Sequence, residues 1–407
     1  MATVFDDLDR ETLATLVREY LLCGHLIDRS GMAHVLAAGG IDAMREIAIE
    51  EWMGASPIYT RRIRRALGIE GDDVGAIFKA MQIDIGAPPQ FMDFRYKVID
   101  SKHGEFVLAS CGALRDVEPM GEEYVVTMCH HIEDPTFDAT AAATNPRARM
   151  RPIHRPPRTP ADRLPHCHWT VEIADDADPV PEPEPARCIA KSRAADIGVV
   201  APSGADDEGR ARYDGPLAPD LRFEEFSRHT LITTLQEVAL QWHLLALSFA
   251  LAVEQRFGKD VASQILVKQF TGIAGLSASR IGKALGLGST VGDIAAMLEL
   301  HPAFHPRSYV DVKIVHDPME VHLRDCEAIG DSPGRSWADV LADGNAQPLD
   351  AMVHAVHPGA RCVAIEPAPG DRRAWSVTVV ADEEARESRE VAVTRISTGS
   401  EFAFEER

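Results

Sequence analysis

"FDDLDRETLATLVREYLLCGHL" (Phe5–Leu26) and "FEEFSRHTLITTLQEVALQWHL" (Phe223–Leu244) are two versions of one pattern. At a constant offset of 218 positions, Phe5, Arg10, Thr12, Leu13, His25 and Leu26 meet identical residues. The register continues: Arg62-Ile63 falls on Arg280-Ile281, and Ala66-Leu67-Gly68 on Ala284-Leu285-Gly286. With small gaps Cys111 meets Cys326, Asp138 meets Asp350, Pro146 meets Pro358, Arg149 meets Arg361, and "HWTVEI" meets "AWSVTV". A repeat of roughly 180 residues is far longer than a solenoid unit, so the chain reads as a tandem duplication of a whole domain. The boundaries expected are 1–176 for the first unit, 177–218 for a proline-spaced acidic linker ("DADPVPEPEPARC"), and 219–407 for the second unit.

Each unit opens with helices. Apolar residues recur at three and four in "LATLVREYLLCGHLI" and "AMREIAIEEW", and Gly39-Gly40 separates the two runs. The period then changes to two. "DFRYKVID" and "EFVLASC" alternate around "SKHG", a hairpin, while "ARMRPIHR" and "HCHWTVEI" read as two further strands. Asp134-Pro135 is expected to cap and open a helix through "TFDATAAAT". Periodicity does not decide between strand and helix for "EEYVVTMCHH". A helical layer on a short antiparallel sheet, present twice, is an α+β fold.

Composition narrows the function. The 407 residues carry 63 acids against 42 bases, a formal charge of −21, which repels phosphate backbones and argues against nucleic-acid binding. Seven scattered cysteines point to reduced thiols, and the acidic start lacks an apolar signal core. The most lipophilic run, "HLLALSFALAV" (His243–Val253), is too short to span a bilayer. A cytoplasmic protein with no membrane partner is expected, with self-association left open. Because "HLLALSFALAV" is apolar nearly all round, the units are expected to pack through their helical layers.

The duplication supplies an internal control. Residues kept in both copies serve the shared fold; chemistry in one copy alone marks function. Arg10, His25, Arg62, Cys111, Asp138, Arg149 and Trp169 are kept. Trp169 reads as a core anchor, Asp138 as a local cap or pair, and His243, on an apolar helix face, as a satisfied core histidine, a reading His25 shares. Confined to the first copy are Cys129, His130, His131, Asp134, Asn145, His154, His166, Cys167 and His168; Leu341 stands opposite Cys129, Ala342 opposite His130 and Arg373 opposite Cys167.

The order of these residues resembles the L-2-amino-thiazoline-4-carboxylate hydrolase family. The features carrying the resemblance are Cys111, then Cys129 with Asp134 or Asp138, then Asn145-Pro146, then Cys167. That family is similar to the 4-vinyl-reductase-type small-molecule-binding domains, and the resemblance implies a helical layer on a short antiparallel sheet and a small-molecule substrate. Three readings of the cluster follow. In the first, a hydrolase or lyase acts on C–N or C–S bonds of a small heterocyclic or carboxylated molecule. Cys129 is then the nucleophile, His130, His131 or His168 the base, and Asp134 its orienter. Asn145 polarises the bond, His154 and His166 contact substrate, and Arg151 or Arg155 holds a carboxylate. No cofactor is needed there. In the second reading Cys129, His131, Cys167 and His168 bind zinc or iron. In the third the unit binds a small molecule without transforming it.

Overall fold

The computed structural model describes residues 3–200, 208–380 and 387–405. The first long helix, α1 (Arg10–Leu67), begins where the side chain of Asp9 accepts the amide of Thr12 at 2.8 Å. It is broken at Gly40, whose φ of 74° and ψ of −173° lie outside the helical region. Nothing stands within 4 Å of a Cβ there, so the backbone angle rather than crowding requires glycine. The chain continues through α2 (Val74–Met81), β1 (Met92–Val98), β2 (His103–Cys111), α3 (Gly112–Val117), α4 (Glu122–Val126), α5 (Glu133–Ala142), β3 (Ala148–His154) and β4 (Cys167–Ile173). The strands form an antiparallel sheet in the order β1-β2-β4-β3. Along β4 Cys167, Trp169, Val171 and Ile173 are buried and the residues between them are not, the alternation of a half-buried strand.

The second unit repeats this plan. Helices α8 (Arg228–Phe257) and α9 (Lys259–Ala284) are separated by Gly258, at φ 79°, the residue matching Gly40. Then come α10 (Val291–Glu299), β5 (Val312–His316), β6 (Met319–Arg324), α11 (Trp337–Ala342), α12 (Gln347–Val356), β7 (Ala360–Ile365) and β8 (Asp371–Val379), with sheet order β5-β6-β8-β7. One tie is duplicated atom for atom: Asp138 Oδ1 accepts the amide of Met150 at 2.8 Å, and Asp350 Oδ1 that of Cys362 at 2.7 Å. The fold is therefore α+β with two like units.

The units meet through their long helices. Arg62 makes two bonds to Glu237, each 2.9 Å, and Arg280 makes two to Glu19, of 2.8 and 3.0 Å. These are the same two positions with the copies exchanged. Ser30 Oγ donates to the carbonyl of Gln269 at 2.7 Å and Ser248 Oγ to that of Glu50 at 3.1 Å, the same serine in each copy reaching positions one residue apart on the opposite helix. Gly54 and Gly272 make room for those serines: a Cβ would sit 2.1 Å from Ser248 Oγ or 2.4 Å from Ser30 Oγ. Such reciprocity is the geometry of an isologous dimer, here within one chain. Helix α8 has the length and composition to cross a membrane, yet 89% of its apolar window is buried in the protein. It is a core helix.

The stretch expected to be a linker carries two short helices. α6 (Glu184–Ile189) and α7 (Arg193–Asp196) bury Ala186, Ile189 and Ala194 completely, which holds them on the long helices. Asp331 of the second unit accepts the amides of Arg193 and Ala194 at 2.8 and 3.1 Å. The second unit's own tail, with α13 (Arg389–Thr394), returns the arrangement. Asp116 of the first unit accepts Ser397 Oγ at 2.5 Å, Thr398 N at 2.8 Å and Thr398 Oγ1 at 2.6 Å. Each unit's tail thus closes over the other unit.

Candidate functional site

The segment left undecided between strand and helix is helical. α4 runs through a π-helical turn, Thr127–Ile132, directly into α5. Because the helix never stops, Asp134 has no free N-terminus to cap; its carboxylate pairs with Arg155 instead. The turn places Cys129 inward, 2% exposed, and leaves His131 exposed.

The sequence cluster separates into distinct places. Cys129, Cys111 at the end of β2 and Cys167 at the start of β4 lie on the buried side. Burial pushes the thiols of Cys129 and Cys167 well above the ordinary range and that of Cys111 up to about 12, and the carboxyl of Glu133 adds to each. The charged or ionisable groups acting on Cys129 are Glu133, the other two thiols and Arg155, with no imidazole among them. His130 Nε2 is engaged with the carbonyl of Pro156 at 2.7 Å. His154 and His168 face each other on the outer side of the sheet at 6.1 Å, with His168 Nε2 3.3 Å from Glu105. His166 Nδ1 accepts the amide of Cys111 at 3.0 Å. Asn145 bonds the carbonyl of Asp72 and the amide of Arg147, each at 2.9 Å, the work of a turn residue. Arg151 pairs with Asp138 at 2.9 Å, and Arg149 donates to the backbone of Pro146 and Ala148. Among the described residues no three His, Cys, Asp or Glu side chains are grouped to hold a metal ion. In the set Cys129, His131, Cys167 and His168, strand alternation alone sends Cys167 and His168 to opposite faces.

A different constellation does converge. A cavity of about 340 Å³ lies between α1, β1, the α3–α5 segment and the tail of the second unit. Its walls are apolar and flexible, with Met32, Met44, Met92, Met128, Phe94 and Phe137, and polar groups enter at His25, Asp28, Arg29, Asp84, Asp116 and Glu133. An apolar cavity with a few convergent polar groups is the ordinary form of a small-molecule site.

Those polar groups are unusual in what they lack. His25 is 6% exposed and neither ring nitrogen makes a hydrogen bond of good geometry, the Ile85 backbone acting on it only weakly, while burial lowers its pKa to about 3. This corrects the reading of His25 as a satisfied core histidine. Its twin His243 is satisfied, with Nε2 3.0 Å from the carbonyl of His305. Behind the cavity wall Glu51 is fully buried against Asp28, and burial, then the charge of Asp28 and a side-chain hydrogen bond with it, push its pKa well up. Asp28 takes Arg29 Nη1 at 3.1 Å and Trp52 Nε1 at 3.4 Å. Asp84 takes the Tyr59 hydroxyl at 2.8 Å and the amide of Gly86 at 2.7 Å, and burial raises it to about 6. Burial raises Glu133 to about 8, with Asp134 adding and Arg155 opposing, so at neutral pH it keeps its proton.

The second unit has filled the matching space. Trp337, 1% exposed, stacks on Phe270 at 4.8 Å and meets His243 edge-on at 5.9 Å. Phe270 and His243 are the counterparts of Trp52 and His25. At the same offset Asp28 faces Ala246, Arg29 faces Leu247, Ala33 faces Leu251, Ala48 faces Leu266 and Glu51 faces Gln269. The Tyr59–Asp84 bond is replaced by Ser277 with His301 at 2.8 Å. The internal comparison that singled out the Cys129 region would have found these residues too, had it been carried through α1. Comparison with protein-family models, with curated proteins and with solved structures returns no match.

Proposed function

We propose that the first unit is an acid–base enzyme, a hydrolase or lyase, that takes a small and mainly apolar molecule into the cavity beside α1, and that the second unit is its structural support. One observation carries this reading. The cavity, with the unpartnered buried His25 on its wall, occurs in the first unit, while in the second His243 is bonded to the carbonyl of His305 and Trp337 occupies the corresponding space. A buried polar group without a partner costs on the order of 1–3 kcal/mol, a cost that a bound molecule supplying hydrogen bonds removes.

In this reading the chemistry moves from thiol to carboxyl. A nucleophilic cysteine needs a thiolate, and burial beside Glu133 holds Cys129 protonated. Glu133, protonated at neutral pH on the cavity wall, is suited to donate a proton to a leaving group or a polarised C=N or C=O bond. Neutral His25 and the carboxyl of Asp28, both on the cavity wall, are suited to orient the substrate. The sequence resemblance to thiazoline-carboxylate hydrolases agrees with a small-molecule substrate, but the arginines expected to grip a carboxylate, Arg151 and Arg155, are committed to Asp138 and Asp134.

The test is occupancy of the cavity by a neutral probe. 1-Naphthalenemethanol is expected to raise the Tm of the wild-type protein. The doubly substituted Ala33→Leu/Ala48→Leu protein, which imports the second unit's residues, is expected to lose that shift while remaining folded. An equal shift in both proteins would place the probe elsewhere and remove the basis of the proposal.

A further inference from the structure

The polar end of the cavity is specific in charge as well as position. Asp28, 6% exposed, stands at one side with the fully buried Glu51 beside it, and Asp84 and Asp116 line the same space. Against these carboxyls Arg29 is the one lining cation among the described residues, and two of the acids already face it. Its Nη1 lies 3.1 Å from Asp28 and its Nε 3.6 Å from Asp116. An anion entering here would meet a guanidinium neutralised on two sides and further acids beyond it. A neutral apolar molecule would leave both nitrogens of His25 as they are, buried and unbonded.

Resting on the reading of the cavity as a small-molecule site, we propose that its ligand is a cation: a protonated amine or other basic nitrogen carried on an apolar, preferably aromatic, body. The nitrogen sits against Asp28, with His25 accepting one of its hydrogens, and the body lies among Phe94, Phe137 and the methionines. The proposal does not rest on the acids alone. His25 lines the cavity, is more than nine-tenths buried, and has both nitrogens unpartnered. Trp52, also on the cavity wall, supplies an aromatic ring of the kind that attracts a desolvated cation. Thioether and aromatic walls suit a flat apolar body, because methionine adapts its shape and makes favourable contacts with rings. The second unit gives the converse. Where Ala246, Leu247 and Gln269 replace Asp28, Arg29 and Glu51, the space is occupied by an uncharged indole.

Three naphthalene probes of matched size test this: 1-naphthylmethylamine as the cation, 1-naphthalenemethanol as the neutral isostere and 1-naphthoate as the anion. Binding is measured by calorimetry at pH 7 on the full chain. The amine is expected to bind on the order of tenfold or more tighter than the alcohol, the difference typical of a hydrogen bond to a charged partner, and the naphthoate more weakly than either. Asp28→Asn is expected to bring amine and alcohol within about twofold of each other. If that variant fails to fold, Asp28→Ala gives the same comparison, because alanine already stands at the matching position, Ala246. Alcohol binding as tightly as amine overturns the inference and leaves the cavity reading standing. So does a preference for amine that survives both substitutions. If none of the three probes binds, the cavity reading itself falls, and the inference with it.

Discussion

Trp337→Ala should reopen, in the second unit, the cavity that the first unit keeps. The indole is 1% exposed, parallel to Phe270 within 2° at 4.8 Å, and nearly perpendicular to Trp242 at 6.1 Å. Its Nε1 has no hydrogen-bond partner, so truncation removes packing and leaves no new orphaned polar group. Truncating a large buried aromatic costs about 3–5 kcal/mol. Aromatic pairs are worth about 0.5–1.5 kcal/mol beyond their buried area, and this ring makes several, which places the loss near the top of that range. The void left is lined by rings and aliphatic side chains and should admit free indole. A ligand at a hundred times its Kd recovers about 2.7 kcal/mol. Urea unfolding of wild-type and variant proteins, with and without indole, measures both quantities. The expected result is a large loss in the variant and a recovery by indole that exceeds any effect on the wild type. A loss below about 1 kcal/mol, or no greater stabilisation of the variant by indole, would refute the reasoning that this ring fills the second unit's counterpart of the cavity.

Glu133 keeps its proton to about pH 8 in the folded protein against an ordinary 4.5, so the folded state binds more protons than the unfolded chain across that window. Stability from this group therefore falls as pH rises from about 4.5 to 8, at most about 1.4 kcal/mol per pH unit; a Tm series from pH 5 to 9 should be flatter for Glu133→Gln, and an unchanged slope would count against a protonated Glu133. His25 has the opposite sign: with a folded value of about 3 against 6.5, it adds stability as pH rises from 3 to 6.5, a contribution that His25→Asn removes in the same series. Iodoacetamide at pH 7 should label the half-buried Cys188 well before Cys129, whose thiol is buried and protonated, and preferential labelling of Cys129 would restore it as a nucleophile. Arg62→Ala strands Glu237 in the core and should cost about 3–5 kcal/mol, whereas Arg62→Met with Glu237→Leu should recover most of that loss; a cost under 1 kcal/mol for the single change would mean that the reciprocal ion pairs do not hold the units together.

The duplication was legible because a fixed offset needs no structural knowledge. It carried the helical openings, the glycine break at Gly40 and Gly258, and the sheet, whose alternation along β4 reads directly from "CHWTVEI". Local signals were less reliable where a helix continues unusually. Asp134-Pro135 has the chemistry of a helix start, but the π turn at Thr127–Ile132 carries the helix past it. The tails that close each unit over the other are too short and too polar to announce themselves: "RAAD" in α7 and Ser397-Thr398 beyond α13 are held by Asp331 and Asp116, far away in sequence.

The site was partly legible, for a related reason. Dense sulfur and imidazole drew the comparison of copies to residues 129–168, where strand alternation and the π turn in fact disperse the side chains to opposite faces. The residues that converge are spaced along α1 and its continuation, and each looks ordinary alone. Asp28 and Glu51 lie on either side of the Gly40 break, and it is the fold of the helix at that glycine that brings their carboxyls together. His25 shares its identity with a satisfied twin, so its missing partners are visible only in three dimensions.

The central claim, that function resides in the cavity beside α1 rather than in the cysteine and histidine cluster, is tested most directly by a crystal structure of the protein with 1-naphthylmethylamine. The account predicts density for the naphthalene ring among Trp52, Phe94 and Phe137, with the amine within hydrogen-bonding distance of Asp28. Density for the amine on the outer face of the sheet at His154 and His168, with the cavity empty, would contradict it.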